Sequence, residues 1–138
     1  MEYIRVGGTE LPAQVRQTAP DRAWNGRSTR EITLTADYAT MLQMFPADEQ
    51  ISWELAKEWV LLIPREDAEG NPVYDEQNEP VIDEVTERKT WDMSEWCVAG
   101  AITDNRDGSF TVKMGVRTTA ERLEEAETLI RDLTTEIA

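Results

Sequence analysis

The chain has 138 residues, of which 28 are acidic, 14 are basic and none is histidine, so its net charge is −14. This charge argues against direct binding to nucleic acid or to an anionic membrane, because both require a basic surface. The lack of histidine excludes serine–histidine–acid triads, cysteine–histidine dyads and histidine-ligated metals, and the single cysteine excludes an internal disulfide. The N-terminal residues show no signal-peptide pattern, and the longest apolar run, residues 59–64, is too short for a membrane span. We therefore expect one domain, made in the cytoplasm without a signal peptide.

The first third of the chain predicts short strands separated by turns. Residues 4–6 alternate, Gly7-Gly8 supplies a turn, and residues 11–15 alternate again. Residues 19–28 have the composition of a loop, with Asn-Gly as its turn, and residues 31–35 predict a clearer strand whose apolar side chains share one face.

A short helix is predicted at residues 38–45. Its apolar side chains recur with helical spacing, Asp37 is placed to cap its first turn, and Pro46 ends it.

Residues 51–63 predict a long, partly buried strand, because β-branched and aromatic side chains are abundant there. The composition of residues 55–58 is also compatible with a helix, which is the alternative. Trp53 and Trp59 are expected to fill the core. The other three tryptophans lie in loop-like or strand-edge positions, where a place in the core is the first expectation and partial exposure at an interaction surface is the alternative: Trp24, Trp91 and Trp96.

Residues 64–90 form an acidic insertion. Within it, residues 66–87 hold nine acids and no base, and the sequence of residues 72–76 returns in similar form at 80–84. The repeat predicts either a protruding hairpin or a flexible acidic segment between strands. Weak calcium binding is open, but no ligand spacing predicts a calcium site.

Residues 91–116 predict a β-hairpin, in which Asp107-Gly108 supplies the tight connection and Phe110, Val112 and Met114 face the core. The turn begins like a calcium-binding loop, but Arg106 stands where an oxygen ligand is required.

Residues 117–138 predict a C-terminal amphipathic helix that begins with a capping box of Thr118 and Glu121. Its apolar stripe consists of Leu123, Ala126, Leu129, Ile130, Leu133 and Ile137. The stripe is expected either to pack on the chain's own sheet or to dock on a neighbouring copy or another protein, since its spacing equals that of a coiled-coil seam.

No catalytic, cofactor-binding or metal-binding residues are predicted. Cys97 has no histidine to activate it, no serine lies in a nucleophile motif, and the clustered carboxylates lack the apolar pocket that raises a catalytic pKa. We expect a non-enzymatic, mainly β (α+β) domain. Its predicted architecture is an antiparallel β-sandwich or partly open barrel with one short mid-chain helix and the C-terminal helix.

Four stretches together carry a resemblance: Trp24–Ser28, Glu31–Leu34, Ile51–Trp53 and Glu95–Gly115. They resemble small structural proteins encoded in the tail and baseplate modules of tailed bacteriophages and prophages of Gram-positive bacteria. The resemblance covers residues 2–60 and 94–137. It implies a virion or tail-assembly part without an active site. The partners that it implies are other tail or baseplate proteins, and association with further copies of the chain is an alternative.

Ring-forming parts need two different complementary patches on each copy. The candidate interface residues are those of the terminal helix and of the Trp24 loop: Leu123, Ile130, Leu133 and Ile137, and Trp24 and Arg27. The alternative function is an acidic protein-binding module, or a DNA mimic that inhibits a nucleic-acid-binding partner.

Overall fold

The fold consists of two antiparallel four-stranded sheets, and a computed structural model describes it for residues 1–47 and 49–137, with side chains as far as Thr135. The strands are β1 (Glu2–Val6), β2 (Thr9–Pro12), β3 (Gln14–Asp21), β4 (Arg27–Thr35), β5 (Trp53–Pro64), β6 (Ile82–Asp92), β7 (Val98–Asp104) and β8 (Ser109–Gly115). The helices are α1 (Tyr38–Met44) and α2 (Thr119–Ile137), and a single 3-10 turn spans Arg22–Trp24. The predicted mainly β fold with a short helix and a C-terminal helix is confirmed.

The core lies between the two sheets, whose strand orders are β2-β1-β5-β6 and β3-β4-β8-β7. Ile4 and Trp53 from the first sheet and Ile32 and Val112 from the second are at most 1% exposed. Alternation within each strand sends these side chains to the inner face and leaves their neighbours outside. The chain passes from the first sheet to the second at the buried Ala13, between β2 and β3, so one side of the sandwich is closed by continuous chain.

Helix α1 forms where its sequence predicts a helix. The Asp37 carboxylate accepts a hydrogen bond from the backbone N–H of Thr40 at 2.7 Å, which is the expected N-cap. Met41 and Phe45 are buried in the core, whereas Leu42, assigned to the same helical face, is 48% exposed. Half of the predicted face therefore packs inward.

The β7–β8 hairpin also follows its sequence pattern. Val112 and Met114 are fully buried, and Gly108 adopts a φ of +89° in the turn. Arg106 has a φ of +60°, and its N–H donates to the Asp104 carboxylate at 2.8 Å. The acidic side chains of this turn thus bind the turn's own backbone.

The β5–β6 hairpin projects beyond the sandwich as a two-stranded arm. Strand β1 pairs with β5 only as far as Lys57, while β5 continues to pair with β6 from Trp59 opposite Glu87 to Pro64 opposite Ile82. The prediction that Trp59 fills the core is wrong, since 40% of this residue is exposed where no second layer covers β5. Trp53, six residues earlier and inside the sandwich, is 1% exposed, as predicted.

The tip of the arm is built from the eight-residue sequence repeat. The carboxylates of Asp67 and Asp75 each accept backbone hydrogen bonds at 2.9 Å from the residues two and four positions later. Each turn closes with a left-handed residue, Gly70 at φ +84° and Asn78 at φ +60°. The acidic insertion is therefore a protruding hairpin, in which aspartates organise two successive turns.

Candidate interaction surfaces

The arm exposes large apolar side chains on both faces. Alternation along the strands places Trp59, Ile63 and Val85 on one face and Val60, Leu62 and Ile82 on the other. We call these six residues the arm surface. Their exposed fractions are 40% for Trp59 and Val85, 45% for Ile63, 52% for Ile82, 55% for Val60 and 63% for Leu62.

Each face of the arm surface is comparable in size with the largest apolar patch of a typical monomer. A large apolar side chain presents roughly 200 Å² when fully exposed, so six half-exposed side chains leave about 600 Å². The largest apolar patch on a typical monomer is about 300–600 Å², and a specific interface buries about 800 Å² per partner. Because two-stranded hairpins are marginal in water by themselves, we treat the arm surface as a candidate interaction surface.

A second exposed apolar surface lies on α2, whose first turn is fixed to the sandwich. The predicted capping box forms: Thr118 N–H donates to Glu121 Oε1 at 2.8 Å, and Glu121 N–H donates to Thr118 Oγ1 at 3.2 Å. Glu121 Oε1 also lies 3.1 Å from Arg27 Nη1. These contacts lower the pKa of Glu121, chiefly through the Thr118 backbone N–H, with the charge of Arg27 adding to the shift and burial opposing it.

Arg27 is the centre of this anchor, and only 5% of it is exposed. Its guanidinium donates to the Trp24 carbonyl at 3.1 Å and to the Val116 carbonyl at 3.2 Å, and it lies 4.3 Å from the centroid of the Trp24 ring. The Trp24 ring in turn covers Gly100 and Gly115, where a Cβ would meet it at 2.8 Å. Arg27 and Trp24, both predicted interface residues, thus make these contacts within the chain.

A second set of polar contacts holds the same side of α2. Arg117 Nη1 forms an ion pair with Glu125, and Gln50 Nε2 donates to Glu125 Oε1 at 3.2 Å. Sequence reasoning missed Glu125 and Gln50, because nothing in the pattern of an exposed glutamate shows which distant residue it meets. Both anchoring glutamates lie on one helical face, since residues four apart are neighbours on a helix.

The apolar stripe of α2 faces away from these anchors. At 100° per residue, its mean direction lies roughly 140° around the helix from Glu121 and Glu125. Leu123, Ile130 and Leu133 are 58%, 63% and 50% exposed, so the stripe does not pack on the chain's own sheet. The side chain of Ile137, the fourth predicted interface residue of this helix, lies outside the described residues.

Two further groups outside these surfaces make contacts within the sandwich. Lys113 Nζ lies 3.0 Å from Asp21 Oδ2, and this hydrogen bond is the main cause of the lowered pKa of Asp21. Cys97 is half-buried immediately before β7, and its carbonyl accepts the Ile51 N–H at 2.8 Å. Within the described side chains, those of residues 1–47 and 49–135, no three acidic or thiol groups lie closely enough together to hold a metal ion.

Comparison with known proteins leaves the site to be interpreted from its own geometry. No protein-family model, curated protein or solved structure matches the chain. In the part of the chain that the structure describes, neither helix is both long and apolar enough to cross a bilayer.

Proposed function

We propose that this chain is a non-enzymatic structural or assembly protein of a bacteriophage tail or baseplate, which acts by packing against neighbouring subunits. The observation that carries the proposal is the arm surface, exposed on both faces of a hairpin that extends past the sandwich. The sequence resemblance to tail and baseplate proteins supplies the setting.

The form of the arm favours a neighbour on each side. A single docking partner would cover one face and leave the other, with about half of the apolar surface, in water. Beyond Glu58, which still pairs with Met1, no described strand covers this edge of β5, and open edges pair readily with another strand. An arm inserted between two subunits would bury both faces and this edge together.

The test is mass spectrometry of phage particles purified from an induced source strain and washed with high salt. We expect the chain at a fixed ratio to the major tail protein, and the ratio would give its symmetry. If the chain were absent from particles but abundant and free in the lysate, the structural proposal would fail.

Variants of the arm connect this test to the structure. V60T/L62T should remove the chain from particles without unfolding it, because both residues are more than half exposed. The matched control is L42T, which changes a residue that is 48% exposed on α1, away from the arm. Equal incorporation of V60T/L62T and wild type would show that the arm does not mediate packing.

A second candidate function is an acidic module that binds a basic partner or mimics DNA. Residues 58–90 hold ten acids and three bases, a net charge of −7 out of −14 for the whole chain. Association through these charges should disappear at high salt, since exposed charges are screened beyond about 8–10 Å. Binding to a basic DNA-binding protein that is lost at high salt would favour this function, and salt-insensitive self-assembly would favour the tail protein.

A further inference from the structure

The stripe of α2 has the residue types and spacing of a coiled-coil seam. We define the α2 seam as Leu123 and Ile130 at a positions and Ala126 and Leu133 at d positions of a heptad repeat. Because Glu121 and Glu125 hold the opposite face against the chain's own sandwich, the seam points away from it. It is therefore accessible to a second helix along its described length.

Charges beside the seam identify what kind of helix fits. Arg122 occupies the g position before Leu123, and Glu127 occupies the following e position. In a parallel two-stranded coiled coil, a g side chain of one helix meets the next e side chain of the other. Two copies of α2 would thus place Arg122 of each copy beside Glu127 of the other, forming two symmetric ion pairs.

Neither charge has an ion-pair partner within the described residues, although the Arg122 side chain also borders a cavity beside Glu95 and Cys97 of the chain's own sandwich. The ion pairs and side-chain hydrogen bonds found there involve neither the Arg122 guanidinium nor the Glu127 carboxylate. The other charged residues of the helix, such as Glu124 and Asp132, occupy b and c positions, which lie outside the seam. Most of the acidic side chains of α2 therefore lie outside the surface at which the two helices would meet.

We propose that α2 associates with α2 of a second copy as a parallel, two-stranded coiled coil. Ile130 at an a position followed by Leu133 at a d position is the arrangement that favours two strands over three or four. The contact is isologous, so each copy supplies the same surface. It uses α2 alone and is independent of the proposed packing of the arm.

The size of the seam predicts a weak dimer. Three half-exposed large side chains and Leu129 at the flanking g position expose about 400 Å² per copy, or about 800 Å² in total, below the range of stable interfaces. We expect a Kd on the order of 10–100 µM, which sedimentation equilibrium measures over concentrations that bracket this range.

Charge reversal tests the pairing directly in the full chain. In R122E, residues 122 and 127 are both acidic, and in E127R both are basic, so each variant puts like charges opposite each other at both symmetric pairs of the dimer. Each variant should therefore raise the Kd by about tenfold or more. The double variant R122E/E127R exchanges the two charges and should restore a Kd close to that of wild type. E124R is the matched control, because it changes the net charge as much as E127R but at a position outside the seam.

Each outcome decides the proposal. Loss of the dimer in both single variants and its recovery in the double variant would establish the parallel contact. A wild-type chain that stayed monomeric, a trimer, or a dimer indifferent to these reversals would overturn it. Because these residues are exposed, circular dichroism should show the same fold in every variant. Failure here would leave the arm and its particle assay unaffected.

Discussion

Replacing Arg27 with methionine should loosen the first turn of α2, which would then be held by the contacts of Glu125. Methionine keeps an unbranched apolar stem beside Trp24 but removes the guanidinium that bridges β4, the Trp24 turn and the first turn of α2. The 3-10 turn at Trp24 would lose the donor to its last carbonyl, and Glu121 would lose its cationic partner. The sandwich should remain folded, since the main core lies elsewhere.

The expected loss of stability follows from the contacts. The carbonyls of Trp24 and Val116 each lose a hydrogen bond from a charged donor, at about 1.5 kcal/mol apiece. Stacking on the indole contributes about 0.5–1 kcal/mol, and the ion pair with the 40% exposed Glu121 carboxylate contributes at most about 1 kcal/mol after screening. The total is about 4 kcal/mol, a substantial fraction of the 5–15 kcal/mol that is typical of a domain.

Urea unfolding followed by tryptophan fluorescence measures this loss, and Arg30→Met is the matched control. The Arg30 guanidinium lies 4.2 Å from the Trp96 ring centroid and donates to the Thr29 carbonyl at 3.0 Å, but it does not contact α2. We expect a loss of about 2 kcal/mol for the control, half of that for Arg27→Met. Equal losses for the two variants, with unchanged hydrogen exchange at the start of α2, would refute the anchoring role of Arg27.

Three further predictions test the core, the anchor and its charge. Trp53→Ala should cost about 3–5 kcal/mol of unfolding free energy, whereas Trp59→Ala on the arm should cost under about 1 kcal/mol; similar losses would place Trp59 in the core. Gly115→Ala should cost about 1–3 kcal/mol by urea unfolding, because its Cβ would lie 2.6 Å from Arg27 Cδ; an unchanged midpoint would contradict the close packing. The pKa of Glu121 is lowered on folding, so its contribution is present above the unfolded pKa and is lost as pH falls through the folded pKa. Glu121→Gln, which can still form a capping box, should therefore lose less stability than wild type on acidification; identical acid profiles would contradict the assignment.

The sequence predicts the sandwich well because its local signals agree with the tertiary structure. The alternation of residues 31–35, the Asp37 cap and the left-handed Gly108 each have a local cause that the fold keeps. The error at Trp59 has a different origin. An apolar strand has the same composition whether a second sheet covers it or not, and the register at which β1 ends, opposite Lys57, depends on pairing between distant strands.

The same limit explains why the direction of α2 could not be read from its periodicity. A stripe with helical spacing is required both for packing on the chain's own sheet and for docking on another helix. The deciding contact joins the Arg27 guanidinium to the Val116 carbonyl, 89 residues later, and places Glu121 beside it. No local pattern contains this information, because it depends on which turn of the sandwich meets the helix.

The anchor and the seam are connected by helix geometry. Glu121 and Glu125 can bind the sandwich only if the helical face that carries them turns inward, and this rotation presents Leu123 and Ile130 to solvent. A helix held instead by its apolar stripe would have buried the seam and left the two glutamates exposed. The polar anchor at Arg27 is therefore what keeps an apolar surface available for association, at the cost of leaving that surface hydrated in the isolated chain.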